Sequence, residues 1–226
     1  MSATVDARRW PRTVAEARAL QERLAARVRL GGGPRRVRLI AGADLAYRAD
    51  GRWAWAAVVL LAWPELVVVE SATAAGAPRF PYVPGYLTFR EGPLLLAAFR
   101  RLRRRPDLCL FDGAGLAHPR RFGLACHMGV LLDLPSIGCA KSLLVGACRA
   151  PGPGRGAWSP IRLDGATVGA AVRTRAGVAP VFVSPGHRIG LAAAVRWVVA
   201  CARYRVPEPI RAAEQLVNRL RGEARA

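Results

Sequence analysis

The sequence predicts an α/β protein in which helices cover one mixed β-sheet. Three consecutive runs of β-type residues, separated by turn signals, indicate an antiparallel meander in the first third of the chain. Farther along, segments with helical periodicity alternate with short apolar strands, which is typical of strands joined by helical crossovers. No repeat and no linker-like segment divides the 226 residues, and we therefore expect a single domain over residues 1–226.

The N-terminal element is predicted to be a helix over residues 13–28. Thr13-Val-Ala-Glu16 has the spacing of a capping box, in which the Thr hydroxyl and the Glu carboxylate satisfy free N–H groups at the helix start. The helix is expected to end before Gly31-Gly-Gly-Pro34, because glycine and proline both disfavour its continuation.

The meander is predicted from three β-type runs, at Val37–Tyr47, Arg52–Trp63 and Leu66–Ala74. Asp50-Gly51 lies between the first two runs and favours a tight hairpin turn. Trp63-Pro64-Glu65 turns the chain from the second run into the third. Strands joined by such short turns are expected to be antiparallel.

The rest of the chain is predicted to alternate helices and strands after a Pro/Gly-rich loop at Pro78–Gly85. The predicted helices cover residues 90–105, 122–132, 190–203 and 208–221. The predicted strands cover residues 108–111 and 136–140, with weaker strands at 167–173 and 181–183. The segment Arg100–Arg105 is interpreted as the solvated end of its helix, where cations favour the dipole, with contact to a nucleic-acid duplex as the alternative.

The order of these elements predicts how the strands are arranged. A right-handed crossover from the meander returns the fourth strand to a place beside the first. This is the plan of the ribonuclease-H-like architecture, and reactive sites in such sheets lie at the carboxyl ends of strands where the winding changes direction. Asp44 follows an apolar strand and Asp112 ends one, so we expect the two carboxylates side by side.

Asp44, Asp112 and Glu91 are the candidate acids. Taken singly, either aspartate fits a helix cap or a turn, and Glu91 fits a first-turn residue facing the helix dipole. Two carboxylates on adjacent buried strands are costly unless they are paired or bind a metal. Three hard oxygen ligands without a Cys or His cage suit Mg²⁺, or Mn²⁺, rather than Zn²⁺. Such acids beside a basic surface are typical of metal-assisted phosphodiester hydrolysis.

The net charge of +20 indicates a polyanionic partner, and nucleic acid is the first candidate. An acidic membrane surface is the alternative, although the basic residues are scattered along the chain rather than packed into one block. Lys141 is the single lysine among 35 basic residues, and it follows the apolar run 134–140. A compact ammonium is expected to meet an anion there, with chance survival of one lysine as the alternative.

The five cysteines form no CxxC pair, which suits a reducing cytoplasm. The N-terminus lacks the apolar segment of a signal peptide, and the longest uncharged apolar run, Trp53–Trp63, is too short to span a bilayer. We therefore expect a cytoplasmic monomer with no membrane partner.

Several motifs resemble those of endonuclease V. They keep their order and spacing from about residue 37 to about residue 220, which is nearly the whole chain. The matching segments are Phe80-Pro-Tyr-Val-Pro-Gly85, Phe89-Arg-Glu-Gly-Pro93, Phe111-Asp-Gly-Ala-Gly-Leu-Ala-His-Pro-Arg120, Ile137-Gly-Cys-Ala-Lys-Ser142, Phe182-Val-Ser-Pro-Gly-His187 and Pro207-Glu-Pro-Ile-Arg211. The resemblance implies a ribonuclease-H-like catalytic core over about residues 37–220.

The resemblance also implies an activity and its residues. Endonuclease V is a Mg²⁺-dependent enzyme that nicks DNA at the second phosphodiester bond 3′ to a deaminated base, chiefly hypoxanthine. By motif, Asp44 and Asp112 match its metal ligands, Glu91 matches its third catalytic acid, and Lys141 matches the cation beside the scissile phosphate. Cleavage of inosine-containing RNA is the alternative activity. A catalytically silent nucleic-acid binder is the other alternative, and the intact acids and lysine argue against it.

A site for an extruded base follows from the same resemblance. Tyr82 matches the aromatic wedge that fills the gap left by the base, and the prolines on both sides favour a presented tip over packing on the core. The residues that resemble the lining of the base pocket are Gly85, Gly113, Gly115 and His118. For Gly113 and Gly115 the alternative is turn geometry after a strand.

Two positions depart from the family pattern. Ala114 stands where a polar residue or glycine is usual, which bears on contacts in the pocket. Glu214 stands where an Asp or His near the metal is usual, and it either serves the metal, directly or through water, or is a surface charge. Of the other histidines, His127 is predicted to be buried and hydrogen-bonded, and His187 to be structural or phosphate-facing.

Overall fold

The computed structural model describes residues 10–224, which form an eight-stranded mixed sheet covered by helices. In chain order the strands are β1 (Leu39–Tyr47), β2 (Ala54–Ala62), β3 (Val67–Gly76), β4 (Leu108–Phe111), β5 (Ser136–Ala140), β6 (Trp158–Leu163), β7 (Ala166–Val172) and β8 (Val181–Pro185). The helices are α1 (Val14–Ala25), α2 (Leu87–Phe99), α3 (Leu124–Leu132), α4 (Leu191–Ala200) and α5 (Glu208–Glu223). The order across the sheet is β3-β2-β1-β4-β5-β8-β7-β6, which confirms the predicted ribonuclease-H-like plan and extends it by three strands.

The predicted meander is confirmed. β1 pairs with β2 and β2 with β3, both antiparallel. At the first hairpin the N–H of Arg48 donates to the carbonyl oxygen of Trp53 at 2.9 Å, and the Asp50 carboxylate accepts from the Arg48 guanidinium at 2.7 Å. These turn contacts hold the register in which Tyr47 is the partner of Ala54.

The fourth strand lies beside the first, as predicted. β4 is parallel to both β1 and β5, and Ala43 is the register partner of Phe111. The next residues along the two strands are Asp44 and Asp112. The crossover therefore brings both acids to one edge of the sheet.

The second half of the sheet is antiparallel, with β8 paired to β5, β7 to β8 and β6 to β7. The sequence prediction lacked β6, which contains Pro160. β6 lies at the edge of the sheet, where one side of the backbone has no ladder partner and proline is tolerated.

The helix predicted over residues 90–105 is wrong at both ends, since α2 runs from Leu87 to Phe99 with Pro93 inside it. Phe89 packs against Phe80 and Tyr86. This burial, rather than the position of Pro93, determines where the helix starts. Glu91 is consequently the fifth helical residue rather than a first-turn residue.

The interpretation of Arg100–Arg105 as a solvated helix end is confirmed in part, because its arginines are exposed but the segment lies beyond the last helical residue, Phe99. Arg105 bonds to the carbonyl oxygens of Leu132 and Asp133, whereas three other arginines of the segment bond to the edge strand β3. The N–H of Arg103 donates to the Glu70 carboxylate at 2.6 Å, and the Arg104 guanidinium lies 3.1 Å from the same carboxylate. Arg101 donates to the carbonyl of Thr73. These arginines therefore donate to carbonyl and carboxylate oxygens of the edge strand β3.

Helices cover both faces of the sheet because successive strand residues point to opposite sides. Ile40 and Leu108 pack in a cluster with residues of α4 and α5. Their neighbours Ala41 and Cys109 pack in a second cluster with residues of α2 and α3. No helix among residues 10–224 is both long enough and apolar enough to cross a membrane.

The N-terminal helix begins where predicted. Thr13 and Glu16 form the reciprocal hydrogen bonds of a capping box, and the helix ends at Ala25, before the predicted Val28. Leu24 then packs against Phe122, so α1 rests on the loop and helix that follow β4.

Candidate active site

Asp44 and Asp112 are adjacent at the point where the parallel pairing of β1 and β4 ends. Asp44 lies within β1 rather than after a strand, whereas Asp112 directly follows β4. The N–H of Asp112 is 3.4 Å from the carbonyl oxygen of Ala43. A Cβ on Gly42 would lie 1.8 Å from the carbonyl oxygen of Pro209, so only glycine lets α5 pack this closely on β1.

Lys141 joins the aspartates from the end of β5. Its Nζ lies 3.1 Å from Oδ2 of Asp112 and 2.8 Å from Oε1 of Glu214, which comes from α5. The anion expected beside the lone lysine is therefore present twice. Glu214 belongs to this acid cluster and is not an isolated surface charge.

Glu91 is half-buried on α2, close enough to Asp44 and Asp112 for their charges to raise its pKa. The hydroxyl of Tyr47, the last residue of β1, donates to Oε1 of Glu91 at 3.1 Å. No sequence signal identifies Tyr47, because only the packing of α2 on the sheet brings the two side chains together. The bond restrains the direction in which the Glu91 carboxylate points.

Burial dominates the electrostatics of the cluster. It raises the pKa of Asp44 to about 7, and the neighbouring Asp112 adds to this shift. Burial also raises the pKa of Glu91 to about 8 and the pKa of Asp112, although Tyr47 and Lys141 respectively oppose these shifts. For Lys141 burial lowers the pKa, but the Glu214 hydrogen bond and the charge of Asp112 raise it to about 12.

The cluster fits a hard divalent cation. Its candidate ligands are all carboxylate oxygens, which Mg²⁺ and Mn²⁺ prefer. The raised pKa values of Asp44 and Asp112 mean that their anionic forms are destabilised by burial, and a bound cation would offset this. Within residues 10–224 no three His, Cys, Asp or Glu side chains are grouped tightly enough to enclose a metal. The remaining ligands would therefore be water, substrate or a rearranged glutamate.

A small pocket lies beside the acid cluster. Its volume of about 130 Å³ is below the roughly 300–1,000 Å³ of drug-sized sites and suits one small ring system. It is lined by Tyr82, Val83, Pro84, Gly85, Leu87, Thr88, Ala114, His118, Gly123, Leu124 and Leu144. Ala114 follows Asp112 by two residues and Leu144 follows Lys141 by three, so the loops that carry the charged residues also line the pocket.

The residues predicted to bind a base are divided between the pocket lining and its support. Tyr82 lines the pocket and is 71% exposed, so it does not pack on the core. Gly85 and His118 also line the pocket, whereas Gly113 and Gly115 are outside the lining. A Cβ on Gly115 would lie 2.1 Å from the carbonyl oxygen of Pro185, so this glycine permits close packing on β8.

His118 is buried and neutral. Its Nδ1 accepts from the N–H of Arg120 at 3.2 Å, so Nε2 carries the proton and donates to the carbonyl oxygen of Gly85 at 2.9 Å. Burial lowers the pKa of His118 to about 4. The imidazole therefore holds the end of the loop Pro81–Gly85, which we call the wedge loop.

The other histidines are structural. His127 is buried as predicted, and burial lowers its pKa to about 3, but its Nδ1 has no hydrogen-bond partner among the residues described. Its ring stacks on Trp10 instead. His187 is buried, and its Nδ1 accepts from the N–H of Arg29 at 3.2 Å.

Sequence reasoning missed much of the apolar pocket wall. Leu87, Leu124 and Leu144 lack any motif of their own, although Leu144 lies two residues after the segment around Lys141 and is half exposed. Arg90 was also missed. Its guanidinium donates to the carbonyl oxygens of Phe80 and Gly51, both at 2.8 Å, and so ties the base of the wedge loop to the first hairpin.

Carboxylates gathered where a ribonuclease-H-like sheet changes its winding define the class of protein as a phosphodiester-cleaving nuclease. Comparison with known proteins identifies the family, since the Endonuclease V family model matches residues 22–215. The chain belongs to the endonuclease V family and is an endonuclease of the deoxyribonuclease V type.

Individual relatives extend over nearly the whole chain. Endonuclease V of Roseiflexus sp. (strain RS-1) is 54% identical over 210 residues, which are 92% of this chain and 94% of the relative. The crystal structure of endonuclease V from Streptomyces avermitilis superimposes with a TM-score of 0.92 at 45% identity and covers 97% of both chains. Ciona intestinalis endonuclease V was solved with a 24mer DNA containing an inosine followed by a ribo-adenosine. It superimposes with a TM-score of 0.81 at 28% identity, and the match covers 93% of this chain and 98% of the Ciona chain. The family thus binds nucleic acid.

Proposed function

We propose that this protein nicks DNA at the second phosphodiester bond 3′ to a deaminated base, chiefly deoxyinosine, and so starts its repair. The proposal rests on one observation, that the same two loops carry residues of the charged cluster and residues of the pocket wall. The loop after β4 holds Asp112 and Ala114, and the loop after β5 holds Lys141 and Leu144. A base held in the pocket therefore lies at a set distance from the charged cluster.

The proposed activity requires Mg²⁺, with Mn²⁺ as the alternative ion. Asp44 and Asp112 would hold it, and Glu91 and Glu214 are near enough to take part directly or through water. The ion, when bound, activates water and stabilises the leaving oxygen. Glu91, oriented by Tyr47, is the candidate to accept a proton from the attacking water. Lys141, freed from its carboxylate partners, would contact the scissile phosphate.

The proposed recognition step extrudes the base from the duplex. Tyr82, exposed on the proline-flanked wedge loop, would stack in the gap that the base leaves. The apolar wall formed by Leu87, Leu124 and Ala114 would enclose the base, and backbone groups of the two loops would read its edge. Because Ala114 has no polar side chain, discrimination at that wall rests on backbone groups and shape.

Inosine-containing RNA is the second candidate substrate. The Ciona enzyme was solved with a strand that carries a ribo-adenosine after the inosine, which favours tolerance of ribose at that position. A silent binder is disfavoured, because Asp44, Asp112 and Lys141 come together with Glu91 as a catalytic arrangement would require.

A nicking assay on matched strands tests the function. The strands would contain hypoxanthine, uracil or no altered base, as DNA and as RNA, with Mg²⁺ or with EDTA. We expect one Mg²⁺-dependent nick at the second bond 3′ to hypoxanthine in DNA. Equal cutting of unaltered strands would contradict the specificity, cutting of RNA alone would support the second candidate, and no cutting would support a silent binder.

Binding of undamaged duplex should depend strongly on salt. Arginines that neutralise phosphates release counterions, so log affinity should fall linearly with log salt, at a slope of roughly −0.9 per contact. Fluorescence anisotropy between about 50 and about 200 mM salt measures this slope. Affinity that stays constant over this range would show that the charge of +20 does not serve nucleic-acid binding.

Tyr82→Ala should weaken the preference for hypoxanthine over undamaged DNA. Stacking of one base is worth ~1–3 kcal/mol, which corresponds to roughly a 5- to 150-fold loss in the affinity ratio. Competition binding in the presence of Ca²⁺ or EDTA measures this ratio without cleavage. Trp158→Ala is the matched control, because Trp158 is 48% exposed on edge strand β6 and does not line the pocket. An unchanged ratio in Tyr82→Ala would exclude the wedge role.

We also propose that the protein acts as a cytoplasmic monomer. All five cysteines are free thiols, as a reducing compartment requires, and four of them are buried. The arginines bonded along β3 disfavour pairing of this edge with a second sheet. Light scattering of the purified protein would measure its mass, and a concentration-independent dimer would contradict this proposal.

A further inference from the structure

Gln21 is a buried polar residue that the acid cluster does not explain. Its exposed fraction is 1%, and it lies on the inward face of α1 with Ala17 and Leu24. An amide at a core position is destabilising unless its groups are hydrogen-bonded. Gln21 also lies just outside residues 22–215, which match the family model.

Both ends of the Gln21 amide are bonded to segments that form the pocket. Oε1 accepts from Nε of Arg120 at 2.6 Å. Nε2 donates to the carbonyl oxygen of Gly85 at 3.0 Å and lies 3.5 Å from the carbonyl oxygen of Phe122. Gln21 therefore connects α1 to the wedge loop on one side and to the loop after β4 on the other.

Three N–H donors meet at the carbonyl oxygen of Gly85. Gln21 is one, and the others are Nε2 of His118 at 2.9 Å and Nη2 of Arg120 at 2.6 Å. A carbonyl oxygen has two lone pairs, so its acceptor capacity is fully used. The Arg120 guanidinium is itself held by stacking on Tyr86 at 4.1 Å. The C-terminal end of the wedge loop is thus restrained from three directions.

We propose that Gln21 is a positioning residue for capture of the extruded base, an inference that rests on the proposed function. Gln21 neither lines the pocket nor contacts the acid cluster. It acts by holding Gly85, and through it Tyr82, against the pocket wall that carries His118. Without the Gln21 donor, Gly85 keeps only its bonds to His118 and Arg120, and Tyr82 enters the duplex less often in the productive direction.

Two substitutions of Gln21 distinguish its hydrogen bond to Arg120 from its hydrogen bond to Gly85. Gln21→Leu removes both, whereas Gln21→Glu keeps an acceptor for Arg120 and removes the donor to Gly85. We expect each to lower the affinity ratio of hypoxanthine-containing to undamaged duplex by roughly three- to tenfold, as for one buried neutral hydrogen bond. Fluorescence of 2-aminopurine placed beside the lesion reports extrusion and should fall in parallel. The single-turnover rate at saturating enzyme should fall less than the affinity ratio.

Leu24→Ala is the matched control, because Leu24 shares the buried face of α1 but packs on Phe122 without bonding the wedge loop. It should lower thermal stability and leave the affinity ratio unchanged. An equal loss of ratio in Leu24→Ala would mean that general loosening of α1 is the cause, and the proposal would be overturned. If Gln21→Leu fails to fold, Gln21→Glu, which has nearly the same size, carries the test.

A double-mutant cycle tests whether Gln21 acts through the wedge. In a Tyr82→Ala background, Gln21→Leu should cause little further loss of the affinity ratio, because the group that it positions is gone. Additive losses, or a wild-type ratio in Gln21→Leu and Gln21→Glu, would overturn the proposal. Failure of the proposed function is distinguishable, since the unsubstituted protein would then show no preference for hypoxanthine.

Discussion

Asp44→Asn and Asp112→Asn are each expected to lower the rate of nicking by at least about 10³-fold, since metal-ion catalysis supplies several kcal/mol and 1.36 kcal/mol is tenfold. Asparagine keeps the shape of the side chain but is a weaker ligand. Single-turnover nicking of a hypoxanthine-containing duplex at saturating Mg²⁺ measures the effect. Full activity in either variant would exclude these acids as the metal site.

The same Asp44→Asn substitution should change how stability depends on pH. In the metal-free folded protein the pKa of Asp44 is about 7, well above that of an aspartate in the unfolded chain. The folded state therefore holds the proton more tightly, and the free energy of unfolding decreases as pH rises from about 4 to about 7. Glu91, with a pKa of about 8, extends this decrease to slightly higher pH.

The Asp44→Asn variant should not show the part of the decrease in unfolding free energy that the Asp44 carboxyl causes. Urea unfolding in EDTA should find it more stable than wild type at about pH 8 and similar at about pH 4. Mg²⁺ should stabilise the wild type at the higher pH much more than the variant, because a ligand stabilises only the state that binds it. Equal stability of the two proteins at every pH would contradict burial of an unpaired Asp44 carboxylate.

Lys141→Arg should fold normally and lose roughly 10²–10³-fold in turnover, the effect of removing one preorganised electrostatic contact. The Nζ of Lys141 lies 3.1 Å from Asp112 and 2.8 Å from Glu214. A guanidinium is wider and planar, so it cannot take this place beside a divalent ion without displacing the phosphate or water. Duplex affinity should fall less than turnover, because arginine keeps the positive charge at this position.

Lys141→Met should lose at least as much turnover. It leaves Asp112 and Glu214 without their shared cation, and the pKa of Asp112 should rise further, since Lys141 lowers it. Arg18→Lys, in an exposed pair with Glu22 on α1, is the control for an exchange of the two basic residues. Near-wild-type turnover in Lys141→Arg would show that the one lysine survived by chance.

Local patterns were sufficient for most of the fold. The capping box at Thr13 marks the start of α1, and the alternation of short apolar runs with turns marks the meander. The place of β4 beside β1 also followed, because right-handed crossovers are a general property of L-polypeptides. Asp44 and Asp112 could be identified since a carboxylate beside buried apolar strand residues is unfavourable in any fold unless something pairs with it.

Local patterns failed where tertiary packing opposed them. Pro93 and Pro160 are signals against a helix interior and a strand, yet α2 and β6 include them. The burial of Phe89 in an aromatic cluster outweighs the proline in α2, and the edge position of β6 leaves its proline without a ladder bond to break. The pattern of the charged run Arg100–Arg105 likewise indicated a helix end, whereas Arg101, Arg103 and Arg104 bond to β3.

The sequence by itself determined the order of elements apart from β6, the two aspartates on neighbouring strands and the family motifs. Only the tertiary structure decided the partners of these residues. Tyr47 meets Glu91 across 44 positions, Gln21 meets Gly85 across 64, and Lys141 meets Glu214 across 73. Periodicity and turn chemistry report which side of an element faces the core. Hydrogen bonds between distant side chains depend instead on how whole helices pack on the completed sheet, which no local pattern encodes.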